Sequence, residues 1–166
     1  MPLLKNGRVI DDRWRRLADD DPLPGTDAVI VSLARWRADR ALAGRPGPLG
    51  LALKNSEAVQ ALAAELHHFE LIALEFPKFT DGRAYSQARL LRERLGFAGE
   101  LRATGQVLPD QLLFMQRCGF DAFEIAKGAP LEAWRQAMAS FSVFYQPAGD
   151  GREPVTSLRR VLGSRT

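Results

Sequence analysis

The chain has 166 residues, of which 46% are hydrophobic and 26% charged. This length and composition favour one globular domain with a buried core and exclude a mainly disordered chain. The formal charge is +3, but residues 146–166 alone hold four arginines and two acids, which leaves about +1 on residues 1–145. Such a body lacks the basic footprint of a nucleic-acid-binding protein.

The cysteine count and the absence of known motifs exclude several kinds of site. The lone Cys118 allows neither a disulfide within the chain nor a cysteine-rich metal site, and we expect it to be a small buried hydrophobe because only Arg117 lies near enough in sequence to lower its pKa. No dinucleotide or phosphate-loop motif is present, so we expect no cofactor and no metal. Without an apolar run of about 18 residues or a signal-peptide core, we expect no membrane span and a cytoplasmic protein.

The predicted elements begin with a hairpin and continue as alternating strands and helices. Leu3–Lys5 and Arg8–Ile10 flank Asn6-Gly7, a dipeptide typical of tight hairpin turns. After an Asp- and Pro-rich loop at 19–25, strands are predicted at Ala28–Ser32, Leu49–Leu53, Leu71–Phe76, Leu101–Thr104, Ala122–Ile125 and Ser142–Tyr145. Helices are predicted at Ala34–Ala43, from Asn55 or Ser56 to His67, and at Gly82–Leu95, Pro109–Cys118 and Pro130–Ser140. Residues 1–145 then form one α/β domain, followed by a flexible basic tail at 146–166.

The two faces of the predicted strands differ in character. Alternate residues such as Val29, Leu51 and Leu74 are large and apolar, whereas those between them are small and then polar toward the strand ends. A doubly wound sheet is apolar on both faces. The pattern therefore favours an α/β fold with a parallel sheet of about five βα units, similar to a partial (β/α) barrel, with an N-terminal β-hairpin. A flavodoxin-like doubly wound sheet is the alternative.

Charged residues recur where the predicted strands end. Lys54, Glu75, Arg102 and Glu124 fall at or near the carboxyl ends of four consecutive strands and share one face. Ligands of α/β proteins bind at this edge, so Lys54 and Arg102 are candidates for binding an anion, and Glu75 and Glu124 for catalysis as a general base. The alternative is that the four residues pair with one another and only close the end of the sheet.

A second group of cations follows the third of these strands. Lys78 lies in the loop, and Arg83 lies in the first turn of the next predicted helix, which Thr80 or Asp81 can cap. Cations beside the free N–H groups of a helix start are suited to an anion site, which makes the stretch from Phe76 to Arg89 the predicted functional centre. The alternative is a simple turn with an exposed charge.

Trp14 and Trp36 stand among arginines. Aromatic and arginine side chains are enriched at protein interfaces, and a partial barrel leaves open sheet edges that proteins usually cover. We therefore expect a homodimer.

Three stretches resemble a bacterial family known as domain of unknown function 934. They are Glu75–Arg92, which contains the Phe-Pro-Lys-Phe-Thr-Asp-Gly-Arg motif, together with Gly99–Gly105 and Asp110–Glu124. Members of that family are typically encoded beside a sulfite or nitrite reductase, and many are labelled probable oxidoreductases. The resemblance implies a role in assimilatory sulfate reduction, with sulfite reductase or another sulfur-assimilation enzyme as partner.

Two functions follow from these observations. The first is an accessory protein of sulfite reduction that binds its partner or a small sulfur oxyanion at Lys78, Arg83 and Arg102. The second is a small (β/α)-type enzyme that acts on an anionic metabolite with a glutamate as general base.

Overall fold

The computed structural model describes residues 2–5, 7–126, 131–139, 144–152, 154 and 155. Its strands are β1 (Leu3–Lys5), β2 (Arg8–Ile10), β3 (Arg15–Arg16), β4 (Val29–Ser32), β5 (Leu49–Leu53), β6 (Leu71–Phe76), β7 (Glu100–Gly105) and β8 (Ala122–Glu124). Its α-helices are α1 (Leu33–Ala38), α2 (Arg83–Arg89), α3 (Leu112–Arg117) and α4 (Leu131–Ala139). Short 3₁₀ turns occur at Arg40–Gly44, Val59–Leu62, Leu66–His68 and Pro109–Gln111, and a π-helical turn at Leu90–Arg94 continues α2. No helix within these described ranges is long and apolar enough to cross a membrane.

The eight strands form one sheet in the order β2-β1-β8-β7-β6-β5-β4-β3. Strands β3 to β8 are parallel neighbours in chain order, without the reversal that a flavodoxin-like sheet has at its switch point. The sheet is mixed rather than purely parallel, because β1 runs antiparallel to both β8 and β2. The hairpin is held there because Leu3 and Leu4 are both buried beside β8.

The sheet is curled into a half barrel. Arg16 of β3 and Glu124, at the end of β8, approach to 3.8 Å although four strands separate them in the sheet. In a flat sheet these strands would lie about 24 Å apart, since neighbouring strands are spaced by about 4.8 Å. Two side chains cannot span that gap, so β3 and β8 must bend toward each other across a concave face.

The helices cover the convex face, as the strand pattern predicts. The main core combines alternate strand residues such as Leu51, Leu74 and Leu101 with helix residues such as Leu91 and Met115. Burial of this apolar surface is the principal source of stability.

The concave face carries a smaller cluster and is covered by residues 11–17, here called the N-terminal segment. Trp14 of this segment packs against Ile30, Leu71 and Ala73. Strand β3 lies within the segment and was not predicted, because Arg15 and Arg16 show no apolar alternation; its backbone pairs with β4 through Arg15 N–H to Ala28 O at 2.9 Å.

The predicted helix that ends at His67 is wrong. Its residues form 3₁₀ turns, because the Gln87 side chain donates to the carbonyls of Lys54 at 2.9 Å and Glu57 at 2.8 Å, which a helix would need for its own first turn. The last predicted strand, Ser142–Tyr145, lies mostly outside the described residues.

The first residues of the predicted tail lie against α3. The Arg117 guanidinium donates to Asp150 at 3.0 Å and to the carbonyl of Gln146, and Arg117 O accepts from the Gly149 N–H at 3.0 Å.

Candidate functional site

A cavity of about 200 Å³ opens on the concave face where strands β4 to β7 end; we call it the strand-end cleft. Its polar lining comprises Arg16, Asp19, Ser32, Lys54, Glu57, Glu75 and Thr104. Its apolar lining comprises Leu17, Leu33, Ala34, Ala52, Leu53 and Ala73. Ala52 of β5 and Ala73 of β6 have small side chains, which leaves room for the cavity. Lys54 and Glu75, two positions further along the chain in each case, supply charges to its lining.

Glu75 is the cleft carboxylate whose side chain has no partner in the part of the chain that the structure describes. It lies one residue before the end of β6, in register with Thr104 of β7, and is partly buried. Its side chain makes no hydrogen bond or ion pair with any described residue, whereas the Thr104 hydroxyl donates to Leu74 O at 3.4 Å. A partly buried carboxylate without a partner is free to accept a hydrogen bond or a proton from a ligand.

Lys54 is an exposed residue that lines the same cleft and supplies a cation. Its backbone is held on both sides, because its N–H donates to Glu57 at 2.7 Å and its carbonyl accepts from Gln87 at 2.9 Å. The ammonium itself has no partner among the described residues. The backbone is therefore fixed while the charge remains available.

The opposite wall is built by the loop after the N-terminal segment. The Ser32 hydroxyl donates to Asp19 at 2.6 Å and accepts from the Arg35 N–H at 3.0 Å, which caps α1. The buried Arg35 guanidinium donates to the carbonyls of Ala18 and Asp21, each at 2.5 Å. These bonds fix the loop that carries Asp19 at the cleft.

Arg102 lies below the cleft and is fully buried. It is the third residue of β7 rather than its end, and it donates to Asp12 at 2.6 and 3.0 Å and to Glu100 at 3.0 Å, with Glu124 at 3.7 Å. Burial alone would lower the pKa of Arg102, but Asp12 and Glu100 outweigh burial and raise the pKa.

Two further pairs extend this group. Lys5 pairs with Glu100 at 2.6 Å, and Arg16 approaches Glu124 at 3.8 Å. The six residues Lys5, Asp12, Arg16, Glu100, Arg102 and Glu124 form an ionic cluster with three charges of each sign. The donors of Arg102 are engaged within it, and Glu124 faces two cations and is not part of the cleft lining.

Lys78 and Arg83 lie apart from the cleft lining. The Arg83 guanidinium donates to both carboxylate oxygens of Asp81, at 3.0 and 2.7 Å, and this pairing lowers the pKa of Asp81 to about 2. Gly82 occupies the cap position of α2 without a side-chain cap. Lys78 is exposed, its carbonyl accepts from the Asp81 N–H at 3.0 Å, and its ammonium has no partner among the described residues.

No group of three or more histidine, cysteine or acidic side chains in the described part of the chain is arranged to hold a metal ion. Cys118 is buried, and burial raises the pKa of its thiol. A neutral buried thiol is a poor nucleophile, so the cysteine belongs to the core.

Residues 50–156 match the model of a family described as a bacterial protein of unknown function (DUF934). The chain belongs to this family. A comparison with curated proteins found no match. The DUF934 match includes Lys54, Glu75 and Thr104, whereas Arg16 and Ser32 precede it.

In this DUF934 protein the structure brings Lys54 and Glu75 to one cleft and places Arg102 and Glu124 in the ionic cluster. Sequence reasoning did not single out Arg16, Asp19, Ser32 or Thr104 as site residues. The strand alternation that selects Glu75 also places Ser32 and Thr104 on its face, so it could have found them. No sequence pattern indicates Arg16, because strand β3 has no apolar alternation and was not predicted.

Proposed function

We propose that the strand-end cleft binds a small anionic metabolite, that Lys54 attracts the anion and that Glu75 acts as general base. The observation that carries the proposal is the free, partly buried carboxylate of Glu75 within a cavity of about 200 Å³. A partly buried carboxylate that makes no hydrogen bond or ion pair with the described residues keeps its full capacity to accept hydrogen bonds. A ligand that donates to Glu75 would supply the missing interaction.

The proposed chemistry is a proton transfer. The anion is held near the Lys54 ammonium, and Glu75 takes a proton from an acidic C–H, N–H or O–H group of the substrate. The substrate keeps the electron pair, and Glu75 returns the proton to the product. The apolar side chains of Leu17, Leu33 and Leu53 reduce the water content of the cleft, which strengthens its charge-assisted hydrogen bonds.

Mass spectrometry of small molecules released from the protein purified from its native host identifies the substrate class. With that compound, Glu75→Gln is expected to lower turnover by about 100-fold or more, the usual contribution of a general base. Glu70→Gln is the matched control, because Glu70 immediately precedes the same strand and does not line the cleft. A protein that carries no anionic compound, or a Glu75→Gln variant as active as Glu70→Gln, would contradict the proposal.

A second candidate is an accessory role in cytoplasmic sulfite reduction, with sulfite reductase or another sulfur-assimilation enzyme as partner. One surface observation supports a partner. Phe79 is 50% and Phe114 59% exposed, and Gln111 links their elements by donating to Phe79 O at 2.9 Å. Exposed aromatic residues beside a free cation such as Lys78 are typical of interface anchors.

Affinity capture from sulfate-grown cells tests this candidate. Wild-type protein is expected to retain a sulfur-assimilation enzyme, and Phe114→Ser to lose it, whereas Glu70→Gln is expected to retain it. Failure of the wild type to capture any such enzyme, together with normal growth of a deletion strain on sulfate, would exclude the role.

A further inference from the structure

Arg16 is the second cation of the strand-end cleft, and its present partner is a weak one. It faces Glu124 at 3.8 Å, beyond hydrogen-bond distance, and its side chain is 49% exposed. Ion pairs with this exposure contribute little to stability because water and salt screen them. Arg16 can therefore change partners at small cost.

The fold fixes the backbone of Arg16 and leaves its side chain free to turn. Arg16 is paired with Ile30 in the sheet, and the next residue, Leu17, donates its N–H to Ile30 O at 3.0 Å. A change of partner thus needs only a rotation of the arginine side chain, with no movement of strand β3.

Glu124 keeps a second cationic partner when Arg16 turns away. Its side chain is only 15% exposed, so loss of all partners would leave a carboxylate unpaired in a largely buried site. Arg102 lies 3.7 Å from Glu124, is fully buried and remains in place when Arg16 turns away. Arg16 is the replaceable partner of this carboxylate, and Arg102 is the permanent one.

We infer that Arg16 is the movable half of an anion site: an anion entering the strand-end cleft replaces Glu124 as the partner of Arg16. The inference rests on the proposed function of the cleft. It adds that the ligand carries an anionic group bound by Arg16 in addition to Lys54, which favours small dianions such as dicarboxylates and tetrahedral oxyanions. Glu124 then acts as an internal competitor that weakens anion binding.

If Glu124 and the anion compete for Arg16, substitutions of Glu124 and of Arg16 should change the anion affinity in opposite directions. Binding of sulfate and of malonate, one an oxyanion and one a dicarboxylate, is measured by calorimetry at constant ionic strength. Glu124→Gln removes the competitor and is expected to tighten binding roughly two- to five-fold, the range for an exposed ion pair. Arg16→Gln removes a charged donor and is expected to weaken binding roughly ten-fold.

Arg15→Gln is the matched control, because Arg15 is the adjacent exposed arginine of β3 and does not line the cleft. Its binding should equal that of wild type, and thermal unfolding of each variant verifies folding. If Lys54→Gln weakens binding while Arg16→Gln and Arg15→Gln both match wild type, this inference is overturned and the proposed function stands. If wild type binds neither anion, or Lys54→Gln has no effect, both are overturned. Weaker binding by Glu124→Gln also overturns the inference.

Discussion

Three carboxylates that lie near or beyond the ends of strands β6 and β8 differ in their partners. Glu75 has none among the residues that the structure describes, Glu124 lies between Arg102 and Arg16, and Asp81 is bound by Arg83. All three groups are carboxylates, so their surroundings rather than their residue type assign the roles. The unpartnered carboxylate is suited to accept a proton, and the paired ones position or neutralise cations.

The pairing of Asp81 with Arg83 predicts a specific titration. Asp81 should titrate with a pKa of about 2, because the Arg83 guanidinium stabilises the charged carboxylate. A lowered pKa means that the pair stabilises the fold at pH values above about 4, the ordinary range for aspartate, and that this contribution is lost as the pH falls toward 2. Carboxyl-detected NMR of the wild type measures the pKa.

Arg83→Gln provides the comparison for that titration. In this variant the pKa of Asp81 should return toward about 4, because the main cause of its lowering is removed. An ordinary pKa for Asp81 in the wild type would show that Arg83 is free, and it would return Arg83 to consideration as an anion-binding residue.

At the scale of elements, the N-terminal segment takes the place of the missing barrel strands. Trp14 fills the concave face, and Asp12 binds the buried Arg102, so one short segment contributes both packing and charge. The close approach of this segment requires a residue without a side chain at position 50. A Cβ atom on Gly50 would lie 3.2 Å from the Trp14 ring and 3.0 Å from Ile30.

Gly50→Val is therefore expected to lower the free energy of unfolding by about 1–3 kcal/mol, the usual cost of overpacking. Gly44→Val is the control, because a Cβ there meets no atom within 4 Å and the change should stay within about 0.5 kcal/mol. Urea unfolding measures both. Equal stability of the two variants would mean that Trp14 does not pack on β5 as described.

Removing Arg102 from the ionic cluster is expected to lower the free energy of unfolding more than Gly50→Val does. Arg102→Leu leaves Asp12, Glu100 and Glu124 without their shared partner and should lower the free energy of unfolding by about 3–5 kcal/mol, as expected when one member of a buried ion pair is removed. Urea unfolding near neutral pH measures this loss. A fully stable Arg102→Leu protein would contradict the cluster's structural role.

Sequence patterns predict the strands more accurately than the segments that connect them. The bounds of β1, β2, β5 and β6 agree with prediction, because apolar runs ended by glycine, proline or charged residues define them locally. The helix expected to end at His67 fails because side chains from elsewhere, such as Gln87, bind its backbone. The contact of Arg16 with Glu124 depends on the curl of the whole sheet, which no local pattern encodes.

At the scale of the whole molecule, the sheet ends in two open strands. All residues of β2 and β3 are exposed, including the apolar Val9 and Ile10. Exposed edges are usually covered, so we predict that two chains associate through such an edge. Light scattering at micromolar concentration should give twice the mass of one chain, and Val9→Lys should reduce it to one; a wild-type monomer would contradict the prediction.

The most direct test of the strand-end cleft is a two-dimensional ¹H–¹⁵N NMR titration of the wild-type protein with malonate and with sulfate at constant ionic strength. Saturable shifts are expected to cluster at the strand ends, on the amides of Ser32, Lys54, Glu75 and Thr104. No comparable shifts are expected on the loop that carries Lys78 and Arg83. Shifts confined to that loop, or none at saturating anion, would contradict anion binding in the strand-end cleft.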